Sequence, residues 1–373
     1  MDLAFLLPLY ERTGSWASVY VDTSRHADDT PRELRPTARE VVRELSEQGA
    51  DEATCGAVES AIEDLRSSPD VHGRALFARG GRIVLDPRLA RRPPGGGTAV
   101  WAPLPRAAPL LDLAGEDPVA IVAYVDRKGA DFELRNARGR QRAGAVAARQ
   151  YRVHRAGGAD WSEWQFQLKV ENTWEHNAAE IADALSVSQE ESRADLLVLV
   201  GNERELREVR ERLPRRLHDR VVQASPGSGT RLPDDDVDSL RAGHVQRRAE
   251  AALDRFRSAR APDAEGRTEA AEGLPGLAEA AREHRIEALL LCPDGPDPHR
   301  QVWIGEDPDQ LAVRRTELTI LGEQRSWAVR ADDALVRGAA ATGASAMSLA
   351  PLSAAAAEED LPAGGLGAVL HRG

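Results

Sequence analysis

Residues 157–185 read GGADWSEWQFQLKVENTWEHNAAEIADAL, a Gly-Gly pair that opens onto a long run with helical periodicity. The apolar positions Trp164, Leu168, Trp174, Ala178, Ile181 and Leu185 step mostly by three or four residues, with one longer gap. That spacing predicts a helix with one buried face. Its start is marked twice, because Asp160 with Glu163, or Ser162 with Gln165, has the spacing of a capping box that satisfies orphan backbone N–H groups. Glycine tolerates dihedrals closed to other residues, so the backbone at Gly157 and Gly158 can approach a partner closely. The stretch describes a tip over residues 156–162 mounted on a rigid helix.

Upstream lies a basic approach. Between residues 127 and 155 stand Arg127, Lys128, Arg135, Arg138, Arg140, Arg142, Arg149, Arg152 and Arg155, opposed only by Asp131 and Glu133, so nine minus two leaves a local net of +7. The whole chain carries −12, from 49 basic and 61 acidic residues, which argues against a general nucleic-acid binder. The acidity is concentrated elsewhere, as in residues 234–236 and 358–360. A local basic run beside a glycine tip suits RNA, because guanidinium groups pair with phosphate and stack on bases. A solvated strand and loop surface is the alternative. Trp161 has two readings as well, a platform for an unpaired nucleotide or a hydrophobic staple across the helix start.

At 373 residues the chain calls for two to three domains. Residues 18–22 alternate like a strand, and residues 36–67 carry a helical pattern broken near Gly49. Residues 75–85 read as a hairpin around Gly80-Gly81, with 98–102 as its expected partner. Residues 119–125 form a nearly continuous apolar run, as a strand covered on both faces requires, and 130–135 look like its hairpin partner. A second such strand is expected at 195–200, followed by helices over 204–213 and 234–260. Beyond residue 262 the pattern predicts a helix at 277–284, a buried strand at 287–292, an edge strand at 301–304, a helix at 331–342 and a strand at 345–349. The end of the chain reads as a loose tail or a last hairpin. Strands alternating with helices indicate an α/β protein.

Cys55 and Cys292 are too few and too isolated for a disulfide framework or a Cys-x-x-Cys zinc site, and no His/Cys/Asp/Glu spacing suggests a metal or a cofactor. The opening residues do not resemble a signal peptide, and no apolar run reaches the roughly 20 residues of a membrane helix. A soluble cytoplasmic protein without membrane partners is expected.

The residues from 157 to 185 resemble the central domain of the archaeal and eukaryotic class-1 peptide release factors and of their bacterial relatives. That family has a Gly-Gly-Gln tip before a helix with a His-Asn pair in its second half. The bacterial relatives add a Trp-Ser after the glycines and a segment close to ENTWEHNA. Here Gly157-Gly158, Trp161-Ser162, Glu171 and His176-Asn177 keep that frame. The family includes rescue factors of the peptidyl-tRNA hydrolase type and the ribosome hibernation factor Balon.

The resemblance implies three domains: an N-terminal α/β domain at 1–112, a central domain at 113–260 carrying the tip, and a C-terminal α/β sandwich at 261–373, similar to kink-turn RNA-binding ribosomal proteins. It implies a monomer that binds the ribosomal A site and the RNA of the peptidyl-transferase centre, with a translational GTPase as a further partner. Arg142, Arg149, Arg152, Arg155, Trp161 and Ser162 are then the expected ribosomal RNA contacts. Two departures narrow the activity. The tip residue is Ala159 where the family has glutamine, and Glu163, Trp164 and Phe166 stand where relatives are often basic. Family chemistry uses a backbone N–H at the tip to stabilise the departing oxygen of the peptidyl-tRNA ester. Alanine keeps that donor and loses the side chain that places water.

The catalytic candidates are therefore the tip, Gly157, Gly158 and Ala159, together with Gln165, the nearest glutamine, which falls on the predicted helix. His176 and Asn177 lie roughly 25 Å along the helix from the tip, which favours a structural role. The codon-reading motifs of release factors, Asn-Ile-Lys-Ser and Tyr-x-Cys-x-x-x-Phe, are missing from the first domain. The expected function is A-site occupancy in stress or hibernation rather than stop-codon termination. A peptidyl-tRNA hydrolase rescuing stalled ribosomes is the alternative, and an adaptor that shares only the fold is a third reading.

Overall fold

The computed structural model describes residues 1–11, 14–23, 34–65, 72–114, 117–126, 128–136, 139–147, 161–225, 231–320, 322–323, 325–352, 356–357 and 359–371, with the side chains of 146–147 and 161–175 outside that description. Two compact units emerge. One joins residues 1–116 to 246–373, and the other spans 117–245. Among the described residues no helix is long and apolar enough to cross a membrane.

In the first unit, a 3-10 helix over Ala4–Leu9 precedes β1 (Trp16–Val21). Helices α1 (Arg35–Glu47) and α2 (Glu52–Asp64) follow, separated near Gly49 as expected. The Asp51 carboxylate accepts from the Thr54 N–H and caps α2. Strands β2 (Gly73–Arg79), β3 (Arg82–Leu85), β4 (Arg88–Leu89) and β5 (Gly97–Ala102) and the single turn α3 (Leu110–Leu113) complete this part. The sheet order is β3-β2-β1-β5, with β4 also on β2. This corrects one expectation: β5 pairs with β1, Ala17 opposite Trp101, and not with the β2–β3 hairpin. Every residue of β1 is buried, which makes it a central strand needing a neighbour on each edge. Its side chains alternate. Ala17, Val19 and Val21 meet α1 and α2, whereas Trp16 and Tyr20 join the core on the opposite face.

The second unit is built on β6 (Ala120–Asp126), β7 (Gly129–Asn136), β8 (Gly139–Ala147), β9 (Leu196–Val200) and β10 (Val221–Ala224), in the order β10-β9-β6-β7-β8. The β6–β7–β8 meander is antiparallel, and β9 and β10 add in parallel. Helix α4 (Trp161–Ser192) connects β8 to β9, and α5 (Glu203–Arg212) leads to β10. The apolar runs of β6 and β9 have the cause inferred from sequence. Ile121, Ala123, Leu197 and Leu199 face Ala178, Ile181, Leu185, Leu206 and Val209 of α4 and α5. Ala120, Val122, Leu196 and Val198 meet Leu232 and Val237 on the other face. Helix α6 (Asp234–Arg260) supplies Val237, and the division between the units falls within this helix.

The first unit resumes with β11 (Ala270–Glu272), α7 (Leu274–Arg282), β12 (Ile286–Leu291), β13 (Gln301–Ile304), β14 (Leu311–Ala312), α8 (Arg315–Ile320), β15 (Trp327–Arg330), α9 (Ala331–Thr342), β16 (Ser345–Ser348) and β17 (Leu366–Leu370). They form the sheets β11-β17-β12-β16 and β14-β13-β15. Two further expectations change. Strand β13 is the middle of its sheet rather than an edge. The end of the chain is no tail, because β17 lies between β11 and β12 and all five of its residues are buried. Leu3, Leu6 and Leu9 share one apolar cluster with Leu277, Leu289 and Leu335, so the sequence-distant halves of this unit are packed as one.

Candidate functional site

The tip of residues 156–162 begins outside the described residues, as do Arg149, Arg152, Arg155, Gly157, Gly158 and Ala159. What the structure describes is the frame on either side. Strand β8 carries Arg140 and Arg142 and runs to Ala147. Helix α4 begins at Trp161, so Trp161, Ser162 and Gln165 lie on its first turns, with their side chains outside the description. The helix is 32 residues long, and its second half is held by Ala178, Ile181, Ala182 and Leu185, all fully buried. Ala178, Ile181 and Leu185 are the second half of the apolar stripe read from sequence; the side chains of Trp164, Leu168 and Trp174 lie outside the description. His176 points to solvent beside Glu180, its Nε2 3.3 Å from the carboxylate one turn on. Asn177 is buried, and its side-chain oxygen has no hydrogen-bond partner among the described residues. Both residues sit within the helix, and among the described residues no cluster of His, Cys, Asp and Glu can hold a metal.

Among the described residues of the basic approach, Arg135, Arg140 and Arg142 lie beside carboxylates. Glu133, 4% exposed on β7, lies between arginines on several elements. Arg135, 5% exposed, donates to it through Nε at 3.2 Å and Nη2 at 2.9 Å. Arg231 donates to the other Glu133 oxygen, and Arg140 on β8 comes within 4.0 Å of it. Arg135 also donates to Asp234 at the start of α6; that hydrogen bond, together with the guanidinium charge, holds the Asp234 carboxyl below its ordinary range. The Arg231 guanidinium stacks 4.8 Å from the centre of the Tyr124 ring. Sheet geometry explains the grouping: Tyr124 is opposite Asp131, Ala120 opposite Arg135, and Arg135 opposite Arg140, so these residues share one face.

Of the sequence-read contacts, Arg142 is on β8, its side chain 79% exposed and 4.0 Å from Asp131. Arg135 leaves the surface altogether and serves as a buried counter-ion. Sequence reading missed Arg231, Asp234 and Tyr124, whose only local signal was that Glu133 interrupts a run of positive charge.

The second unit is thus a mixed five-stranded sheet with helices on both faces, in which a strand bearing exposed arginines and a long helix bracket residues 148–160. Residues 119–262 match the sequence profile of the bacterial archaeo-eukaryotic release factor family 2. The resemblance to the bacterial release-factor-like family, read from the glycine tip and the His-Asn pair, stands on that match. Over 340 residues the chain is 27% identical to the uncharacterised proteins MT2704 and Rv2629 of Mycobacterium tuberculosis, covering 89% of this chain and 88% of each relative. Among solved structures it is similar to the archaeal translation termination factor aRF1, with 17% identity, a TM-score of 0.24, and coverage of 99% of this chain and 97% of that one. A structure of ribosome-bound archaeal Pelota with ABCE1 gives 14% identity, a TM-score of 0.41, and coverage of 99% and 94%.

Proposed function

We propose that this protein is a ribosome-associated factor of the release-factor type, which occupies the A site of idle or stressed ribosomes and places residues 156–162 toward the peptidyl-transferase centre. The observation that carries this reading is the family match over residues 119–262, which encloses the arginine-bearing strand, the tip and the long helix. Strand β8 ends at Ala147 and helix α4 begins at Trp161, so residues 148–160 are flanked by a strand and a long helix of one unit. Ala159 in place of glutamine favours occupancy over ester hydrolysis. Arg142, Arg149, Arg152 and Arg155 are the proposed phosphate contacts, Trp161 and Ser162 the proposed contacts at the tip. Delivery by a translational GTPase belongs to the same proposal.

Sedimentation of the purified protein with empty ribosomes and with ribosomes carrying peptidyl-tRNA, with peptide release assayed in the same tubes, tests it. The expected result is binding to empty ribosomes without release. Release from loaded ribosomes, lost when Gly158 is replaced by a bulky residue, would instead establish a peptidyl-tRNA hydrolase. The double variant Arg152→Glu, Arg155→Glu should abolish cosedimentation. Undiminished binding by the folded variant would remove these arginines from the contact surface.

A further inference from the structure

The first unit contains a cavity of about 320 Å³, remote in sequence from the tip, whose wall combines Val100, Ala102, Leu104 and Val329 with Arg106, His299, Arg330 and Asp333. Its polar groups are heavily prearranged. The Arg106 backbone is fixed by donation of its N–H to the Ser18 hydroxyl at 2.9 Å, and its carbonyl accepts from the Tyr20 hydroxyl at 2.6 Å. Arg106 Nη1 donates to Asp332 at 2.8 Å and to Asp333 at 2.9 Å. Arg330 donates to both oxygens of Asp332, through Nε at 3.2 Å and Nη2 at 2.9 Å. Backbone N–H groups of Ala108 and Asp333 complete the two carboxylates at 2.9 and 2.8 Å. Arg330 also donates to His299 Nδ1, which leaves the imidazole proton on Nε2.

Donors and acceptors in this cluster do not balance. All four carboxylate oxygens accept hydrogen bonds. A guanidinium has five N–H groups, and Arg106 Nε and Nη2, Arg330 Nη1 and His299 Nε2 have no partner among the described residues. The unused donors sit on cationic or donor-bearing groups beside an apolar wall, where Gln301 adds a side-chain amide. Guanidinium donors in a partly desolvated concavity are suited to bidentate recognition of carboxylate or phosphate.

We propose that this cavity binds a small free oxyanion, a carboxylate or phosphomonoester on a short carbon body, with Arg106, Arg330 and His299 donating to its oxygens and the aliphatic wall covering the carbon body. The site is independent of the proposed ribosomal role. The cavity's size favours a small molecule over a nucleic-acid strand.

Calorimetric titration of the full chain with sulfate and with butyrate, at ionic strength held constant with potassium chloride, tests the assignment. Saturable binding of one equivalent is expected, at least tenfold weaker in Arg330→Gln. Because that change leaves Asp332 with one guanidinium, the second variant is Ala328→Trp, which fills the cavity without altering a charge and should also abolish binding. Circular dichroism verifies that each variant is folded. Absence of saturable binding, or binding unchanged in folded Ala328→Trp, would overturn the proposal. Displacement of sulfate by a short single-stranded RNA at equal phosphate concentration would assign the oxyanion to a nucleic-acid backbone and overturn the small-molecule assignment.

Discussion

Glu133 and Asp333 solve the problem of a buried carboxylate in different ways. Glu133 lies among Arg135, Arg231 and Arg140, so removing it takes two hydrogen bonds from the buried Arg135 guanidinium and leaves it the Asp234 carboxylate. Glu133→Ala should lower the stability of the second unit by about 3–5 kcal/mol, the cost typical of breaking a buried ion pair, as read by urea denaturation. Arg142→Glu, at an exposed position, should change it by less than about 1 kcal/mol. Asp333 competes with Asp332 for a single Arg106 guanidinium, and burial together with the Asp332 charge pushes its carboxyl from 3.8 to about 6. A carboxyl whose folded value is raised holds its proton more tightly when folded. Its contribution is fully present below about pH 4 and is lost as pH rises through about 6. Thermal melts between pH 4 and 7.5 should show that loss, and Asp333→Asn should flatten it. An unaltered profile in the variant would place the titration elsewhere. The long-range pairings were not legible in sequence, since Arg106 and Asp333 are 227 residues apart and Arg135 and Asp234 are 99 apart.

At the scale of elements, periodicity served well where a segment carries its own explanation. The continuous apolar runs of β6 and β9 announce strands covered on both faces. The stripe Ala178, Ile181, Leu185 announces the buried side of α4, and Gly343 in the left-handed conformation ends α9 where expected. Pairing was less legible. A strand's neighbours are set by tertiary packing, so local pattern places β5 on the nearer hairpin and β13 at an edge, whereas β5 pairs with β1 and β13 lies between β14 and β15. β17 has only five residues, LGAVL, after a glycine-rich approach, and nothing local distinguishes it from a tail. Its position between β11 and β12 makes a clear prediction. Truncation after residue 361 should abolish cooperative unfolding of the first unit, measured by circular dichroism, whereas a dispensable tail would leave the transition intact.

For the molecule as a whole, a net charge of −12 coexists with exposed arginines on β8. Ribosome association through phosphate contacts should therefore decline steeply with salt, with a slope near −0.7 per contacted phosphate on single-stranded RNA. A flat dependence would indicate an apolar protein contact instead. The central unit was legible in sequence because its tip, helix and strands are contiguous in the chain. The cavity was not, since its wall is drawn from residues 100–106 and 299–333.

That discontinuity has a consequence for synthesis. Residues 117–245 form a compact unit from one unbroken stretch and can fold as soon as they have emerged. Strand β1 and its neighbours cannot bury their outer face until α7, α9 and β12 exist. At common elongation rates, the interval between residues 116 and 373 is roughly 10–50 s. For that time the nascent chain displays Leu3, Leu6, Leu9 and the Trp16 and Tyr20 face of β1 as sticky, unprotected surface. Residues made before the central unit are thus completed after it, and yield in the cell should depend on chaperones that shelter the nascent chain.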